Sequence, residues 1–300
     1  MPYRLKRKER VDHGLKRIAL EQLKRAQREC EDRDLDNDTK VHQVRKRMKK
    51  QRALLRLMKD RLGDKPFRRE NQRARSLARR LADARDTQVM LDVATALAGD
   101  DPALAAAGFE RFQAHLQSAI DRHRGQADLD THLQRSRKEL VEMQRDIPAW
   151  PLQGRGFKVV QAGLHRAYKR GRKALKQIEK HANDETTHTW RKRVKNYWYH
   201  SRLLENIWPG VMRCQADELK ILSELLGDHN DLSVLEATLM QLPGEVIDDD
   251  EKDVWKNRIG REKEQLRGHA IRLGRRIYAE PPEHFIDRVA AYWEAWKGQN

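Results

Sequence analysis

The chain has 300 residues, 38% of them hydrophobic and 36% charged, so it can bury a core beneath a very polar surface. Its 63 Lys and Arg against 46 Asp and Glu leave a net charge of +17, which favours a polyanionic partner: nucleic acid, an anionic membrane surface or a phosphate polymer. Two cysteines outside any C-x-x-C spacing, Cys30 and Cys214, argue against a disulfide scaffold and indicate a reduced cytoplasmic protein. Neither a signal peptide nor a run of about 18 apolar residues occurs, so no membrane insertion is expected.

Amphipathic helical periodicity extends along the whole sequence, and no segment alternates in the way that a β-strand does. The pattern predicts helices over residues 11–31, 40–62, 66–98, 102–124, 128–145, 156–182, 186–207, 211–241, 251–278 and 282–297. Proline and glycine at 148–156 predict a connection near the midpoint of the chain, and 243–250 predicts an acidic, solvated turn. The sequence therefore predicts an all-α protein.

The helix predicted over 40–62 carries a stripe of basic side chains at alternating steps of three and four residues. These are His42, Arg45, Lys49, Arg52, Arg56 and Lys59. An apolar stripe, from Val41 and Val44 to Met58, lies beside it. Cations that border a buried seam repel one another unless an anion joins them, so this pattern favours anion binding over a solvated basic face.

Two segments of the first half recur, in the same order, in the second half. VHQVRKRMKK at 41–50 matches THTWRKRVKN at 187–196, and RSLARRLADARDTQV at 75–89 matches KILSELLGDHNDLSV at 220–234. Their nearly constant separation predicts an internal duplication. We expect one domain over 1–300, made of two repeat halves.

Halves of this kind, 1–150 and 151–300, predict two helical bundles related by an approximate two-fold axis around a shared basic groove. The second half repeats the basic stripe with His188, Arg191, Lys195 and Arg202, and Trp198 takes the remaining step. Each half would then contribute one stripe to the groove.

The motif H-x-x-R-K-x-x-K occurs in both halves, at 42–49 and at 188–195. Each copy is followed by a helix with a similar acidic ending, LADARD or LGDHND. HRAYKRGRKAL at 165–175 and LGRRIYAE at 273–280 add to a pattern that resembles the CHAD (conserved histidine α-helical domain) family. The second copy departs from the pattern where Asn196, Tyr197 and Trp198 interrupt the basic run.

The resemblance implies two pseudo-symmetric four-helix bundles that enclose a basic cavity and bind inorganic polyphosphate. It implies no catalytic activity for the domain and no cofactor. Family members occur alone or joined to a triphosphate-processing domain, and some associate with polyphosphate granules. A chain of 300 residues resembles the stand-alone kind, located in the cytoplasm and on such granules.

The predicted polyphosphate-binding residues are the basic stripes, their neighbours, and part of the basic cluster at 165–176. Arg offers a planar fork of donors and Lys a compact charge, both suited to phosphate oxygens. The set is Arg17, His42, Arg45, Lys46, Lys49, Arg52, Arg56, Arg166, Arg170, Lys173, His188, Arg191, Lys192, Lys195, Tyr199 and Arg202. Arg17 enters it as the first-half counterpart of Arg166, because GLKR at 14–17 weakly matches GLHR at 163–166.

Two carboxylate pairs accompany the repeat at a spacing of three residues, which places each pair on one helix face. The pairs are Asp83 with Asp86 and Asp228 with Asp231, and Arg75 and Lys220 recur with them. Such carboxylates can hold Mg²⁺, but they more often orient basic neighbours, and we expect the orienting role for all six residues. No metal site is predicted, because His42 and His188 are surrounded by cations and no H-E-x-x-H motif is present.

Two other functions stay open at this point. A nucleic-acid-binding protein would use the same charges, with tryptophans as stacking platforms, but only Trp198 and Tyr199 lie near a basic stripe. This predicts at most weak, non-specific binding of nucleic acid. A Mg²⁺-dependent polyphosphate-processing enzyme would instead rely on the aspartate pairs.

Overall fold

The structure is a computed structural model that describes residues 3–81, 83–124 and 128–298, with the side chains of 83–86, 123, 124, 128 and 130 left aside. The all-α prediction is confirmed for these residues. Their helices are α1 (Val11–Glu31), α2 (Asn37–Leu57), α3 (Lys59–Leu62), α4 (Asp64–Arg80), α5 (Asp83–Asp100), α6 (Pro102–Ala106), α7 (Phe109–Arg124), α8 (Asp128–Asp146), α9 (Lys158–Lys180), α10 (Asp184–Leu203), α11 (Pro209–Leu239), α12 (Asp249–Ile277) and α13 (Pro282–Gly298), with a short 3₁₀ turn at Glu205–Ile207.

Three of the predicted helices are divided in the structure. The segment predicted over 40–62 separates into α2 and α3, that over 66–98 into α4 and α5, and that over 102–124 into α6 and α7. Gly108 lies between α6 and α7 with a φ of 67°, a left-handed conformation that glycine adopts without strain. Helical periodicity continues across such a glycine, so the break is not visible in the pattern.

In the first half, α1, α2, α4 and α8 pack around an apolar core. Leu15, Leu54 and Leu77 are fully buried there. Arg73 and Arg80 of α4 form ion pairs with α8, Arg73 with Asp146 at 2.6 Å and Arg80 with Glu139 at 3.1 Å.

In the second half, α9, α10, α11 and α12 pack in the same manner, and α13 lies against α9. Asn183 caps α10 in a reciprocal capping box with Thr186, which fixes where this helix begins. A second core joins α5 and α7 to the end of α11 and the start of α12, where the buried Trp255 donates Nε1–H to Ala107 O at 2.9 Å. The acidic turn before α12 ends in another capping box, made by Asp248 and Glu251.

The two motif helices, α2 and α10, contact each other at the centre of the molecule, and α9 packs across α2. This crossing is very close at Gly163, where an added Cβ would stand 1.9 Å from Leu57 O. The internal duplication stays a prediction. The order of helices around the two motifs is similar, but α11 is continuous where α4 and α5 are separate.

Candidate anion-binding site

A basic pocket of about 120 Å³ lies where α2, α3, α9 and α10 meet. We call it the Arg56 pocket. Its lining residues are Arg56, Lys59, Phe67, Gly163, Arg166, Ala167, Arg170, Arg193, Asn196 and His200. The close crossing at Gly163 brings the basic side chains of α9 to the end of the α2 stripe, which explains why the pocket forms here.

Arg56 is a half-buried cation of the pocket. Its Nη1 donates to Asn196 Oδ1 at 3.1 Å, a neutral partner. Burial, together with the nearby charges of Arg52, Arg193 and Arg170, lowers the pKa of Arg56 to about 10. The guanidinium therefore lies in a positive environment that an incoming anion would stabilise.

The two sides of the pocket differ in how far their cations are neutralised. Arg166 donates from Nη1 to both Asp60 oxygens, at 2.9 and 2.8 Å, and from Nη2 to Arg56 O at 3.0 Å. Lys59 pairs with Asp64 at 3.0 Å. On the other side, Arg170 and Arg193 form no ion pair with any described residue, and burial and Arg170 lower the pKa of Arg193. Net positive charge is thus concentrated on that second side.

His200 forms part of the pocket floor and is 1% exposed. Its Nε2–H donates to Ala53 O of α2 at 2.9 Å. Burial lowers the pKa of His200 to about 4, and Arg56 and Arg166 act in the same direction. The imidazole is neutral at pH 7, so the charge of the pocket comes from Arg and Lys.

The rest of the α2 stripe extends away from the pocket along α2. Arg52 donates from Nε to Asn71 Oδ1 of α4 at 3.2 Å, and its pKa is lowered by burial and by Arg75. Arg45 Nη1 donates to Leu81 O at 3.5 Å. His42 is half-buried on the same helix, and Lys46 and Lys49 are exposed there. Arg45 and Arg52 thus contact α4 or the residue that follows it, and the role of the stripe as a whole stays a prediction.

The α10 stripe has different neighbours. His188 donates from Nδ1 to Asn230 Oδ1 of α11, and burial lowers the pKa of His188. Burial also lowers the pKa of Arg191, while Asp231 and Asp228 oppose that shift. Lys195 is half-buried and Lys192 is exposed.

The second aspartate pair lies beside Arg191, as the orienting role requires. Asp231 Oδ1 accepts from Asn230 Nδ2 at 3.2 Å, so a chain of contacts links it to His188. Burial raises the pKa of Asp228, and Asp231 adds to the rise.

Two of the predicted orienting residues, Lys220 and Arg75, have other surroundings. Lys220 is exposed and pairs with Glu224 at 3.4 Å, and Arg75 is exposed beside Arg52. The side chains of Asp83 and Asp86 lie outside the described residues. Among the residues that the structure describes, no group of three His, Cys, Asp or Glu stands close enough to hold a metal ion.

The predicted ligand-binding residues that line the pocket are Arg56, Arg166 and Arg170. Three of the remaining ones lie off both stripes as well. Arg17 is paired with Glu9 at 2.7 Å and with Glu21 at 3.0 Å, so its charge is already neutralised. The Tyr199 ring is 6% exposed and packs in the core, and Lys173 is exposed outside the lining.

The sequence did not identify Lys59, Arg193, Asn196 and His200 as members of a shared site. Lys59 was recognised only as the end of the α2 stripe. Arg193 matches Arg47 in the repeat, but both lie off the stripes. Asn196 was visible only as an interruption of the basic run.

The molecule is thus a helical protein with a phosphate-sized basic pocket between crossing helices. The CHAD domain family model matches residues 17–240, and the chain belongs to this family. A similar solved structure is the crystal structure of the CHAD domain from the plant Ricinus communis, with 18% sequence identity, a TM-score of 0.61 and coverage of 97% of this chain and 94% of that one. The search of curated proteins gave no match. In the described part of the chain, no helix has the length and apolar character needed to cross a membrane.

Proposed function

We propose that this protein binds inorganic polyphosphate without catalysing a reaction on it, and that the Arg56 pocket holds one of the phosphate groups. The observation that carries the proposal is the convergence of Arg56, Arg170 and Arg193 without an ion pair among the described residues. Arginine forks form charge-assisted hydrogen bonds with phosphate oxygens, and bound phosphate would relieve the mutual repulsion.

The pocket is large enough for a phosphate group, since about 120 Å³ corresponds to roughly four water molecules. Polyphosphate and nucleic acid both carry phosphate groups, so the preference for polyphosphate rests on the aromatic side chains. Stacking platforms are scarce: Lys59 Nζ lies 5.3 Å from the Phe67 ring centre, and the Arg202 guanidinium lies 5.3 Å from that of Trp198. A single-stranded nucleic acid would find charge here but few free aromatic faces.

The α2 stripe would hold the phosphates that follow the one in the pocket. Arg45 and Arg56 are separated by about 16 Å along the helix axis, a distance that several linked phosphates span. Binding along such a stripe releases counterions, so the affinity should fall steeply as salt is added. Multivalent binding of this kind would also dock the protein on polyphosphate granules in the cytoplasm.

Titration of the protein with long-chain polyphosphate and with single-stranded DNA of matched charge tests the proposal. We expect clearly tighter binding of polyphosphate at physiological salt, and no release of orthophosphate when Mg²⁺ is added. Equal binding of both polymers would favour a non-specific basic surface. Phosphate release that is lost in Asp228→Asn would favour the enzyme.

A further inference from the structure

A second group of cations lies on the other side of the contact between α2 and α10. We call it the Lys50 cluster. Its members are Arg25 of α1, Lys46, Arg47 and Lys50 of α2, and Arg202 of α10. In the sequence repeat Arg202 matches Arg56, Arg47 matches Arg193, and Lys50 matches Asn196. The cluster therefore repeats the centre of the Arg56 pocket, residue for residue, with lysine in place of the neutral asparagine.

Lys50 is 6% exposed, which is unusual for a lysine. It forms no ion pair within the described residues. Of the charges around it, Arg47, Arg202, Lys46 and Arg25 are all positive, and with burial they lower the pKa of Lys50 to about 7. Arg47 is itself paired with Glu29, at 2.6 Å. Buried cations without an anion are costly, and the lowered pKa shows that the cost falls on Lys50.

Tyr3 covers this cluster. Its hydroxyl donates to Lys50 O at 3.2 Å, and Lys50 Nζ lies 5.8 Å from the centre of its ring. The segment is anchored beyond Tyr3, because Leu5 N donates to Leu203 O at 3.0 Å and Leu5 O accepts from Asn206 Nδ2 at 2.8 Å. This anchor is made by the backbone of Leu5 and does not involve the Tyr3 side chain.

We propose that the Lys50 cluster is a second phosphate-binding site, covered here by Tyr3, which a polyphosphate chain occupies when the Tyr3 side chain moves aside. The space vacated by the phenol ring lies next to Lys50 Nζ and would admit a phosphate group. The inference rests on the proposed function, because it extends polyphosphate binding from the Arg56 pocket to the cluster at the matching sequence positions.

Occupation of this site would depend on pH. The charged groups around Lys50 are Arg25 from α1, Lys46 and Arg47 from α2, and Arg202 from α10, with Glu29 of α1 paired to Arg47. Tyr3 covers Lys50, and Tyr199 of α10 lies against Tyr3. Burial raises the pKa of Tyr199 to about 12, whereas the pKa of Lys50, about 7, lies near neutrality. Protonation of Lys50 below pH 7 increases the repulsion beneath Tyr3 and the attraction for phosphate.

The experiment measures tripolyphosphate binding by calorimetry at pH 6 and pH 8 for the full chain and for Tyr3→Ala, Lys50→Met and the double variant. We expect Tyr3→Ala to add a second site or raise the affinity by about fivefold or more at pH 6, because it exposes a protonated lysine beside Arg202. The double variant should lose this gain. Lys50→Met alone should fold, since methionine fits a buried lysine stem, and should flatten the rise in affinity between pH 8 and pH 6.

The inference is overturned if Tyr3→Ala gains no affinity for tripolyphosphate and no second site, or if such a gain survives in the double variant. If Tyr3→Ala does not fold, the inference is overturned when Lys50→Met keeps the pH dependence of the wild type. The proposed function fails on a different result, namely that substitution of Arg56 and Arg193 leaves polyphosphate binding unchanged. The two failures are therefore distinguishable.

Discussion

The Arg56 pocket and the Lys50 cluster are built from matching positions of the repeat, yet one is open and the other is covered. In the open pocket Arg56 meets the neutral Asn196, and neither Arg170 nor Arg193 has an ion pair in the described chain. In the covered cluster Lys50 stands where Asn196 would, and Tyr3 excludes solvent. The open pocket therefore keeps positive charge that a ligand can reach. The covered cluster has less positive charge, because the pKa of one lysine is lowered.

The comparison shows that a run of basic residues does not by itself define a binding site. Like charges brought together by helix packing are tolerated when solvent or a ligand reaches them, or when one group gives up its proton. Arg17 shows a third solution, since Glu9 and Glu21 neutralise it. Which solution applies depends on residues from other helices.

The largest effect on stability is expected at Gly163, where the open pocket depends on close packing of two helix backbones. Gly163→Ala would place a Cβ 1.9 Å from Leu57 O, so α9 must move away from α2. We expect a loss of about 3 kcal/mol or more in the free energy of unfolding, measured by denaturant titration. Gly260→Ala is the matched control, because nothing lies within 4 Å of that Cβ. Equal stability of the two variants would contradict the packing described for α9.

Lys50→Met should stabilise the fold, because it removes a cation buried among other cations. The folded pKa of Lys50, about 7, is below its unfolded value, so the unfolded chain binds more protons between pH 7 and pH 10. Stability of the wild type should therefore rise with pH across this window, and the variant should lack that rise.

At pH 7 we expect a gain on the order of 2 kcal/mol in the free energy of unfolding of Lys50→Met. Lys176→Met, at an exposed lysine of α9, serves as the control with the same change of charge. A destabilised Lys50→Met would mean that the ammonium has an anionic partner in solution.

Acid should weaken the floor of the open pocket. The folded pKa of His200, about 4, is below the unfolded value of 6.5, so its contribution to stability is present above pH 6.5 and is lost as the pH falls toward 4. His229, with a pKa of about 4, acts in the same window. We expect each to cost on the order of 1 kcal/mol between pH 7 and pH 5.

His200→Gln tests this contribution, because its amide can still donate to Ala53 O. The variant should show a smaller loss of stability between pH 7 and pH 5 in denaturant titrations. The same pH dependence in variant and wild type would show that His200 becomes protonated in the folded state without cost.

The smallest effect is expected at the acidic start of α12. Asp249 and Asp250 are exposed there, outside both basic clusters. Replacing both by Asn should change polyphosphate affinity by less than about twofold, since exposed charges far from a ligand are screened by salt. A larger gain in affinity would show that the ligand passes close to this turn.

The fold could be predicted further than the site. Helical periodicity located the helices, because it depends on which face of each segment is buried. It missed the break at Gly108, where a glycine with positive φ divides the segment without disturbing the pattern. The α2 stripe correctly placed Arg52 and Arg56 on one face. It could not show that Arg56 would meet Arg193 and Asn196, because the crossing of α2 and α10 is set by packing elsewhere.

The same reasoning explains the residues that lie elsewhere than predicted. Tyr199 lies near the α10 stripe in the sequence, yet its ring packs against Tyr3, which comes from the distant start of the chain. Helical spacing describes the face of one helix, whereas the partner that covers that face is a property of the assembled molecule.

The most direct test of the central claim is calorimetric titration of long-chain polyphosphate at physiological salt into two charge-matched double variants. Arg56→Met/Arg193→Met removes two cations from the pocket, and Arg135→Met/Lys138→Met removes two exposed cations from α8. We predict at least about tenfold weaker binding for the pocket variant and a change within about twofold for the α8 variant. Equal weakening of both would contradict the claim, because polyphosphate would then be held by net charge alone.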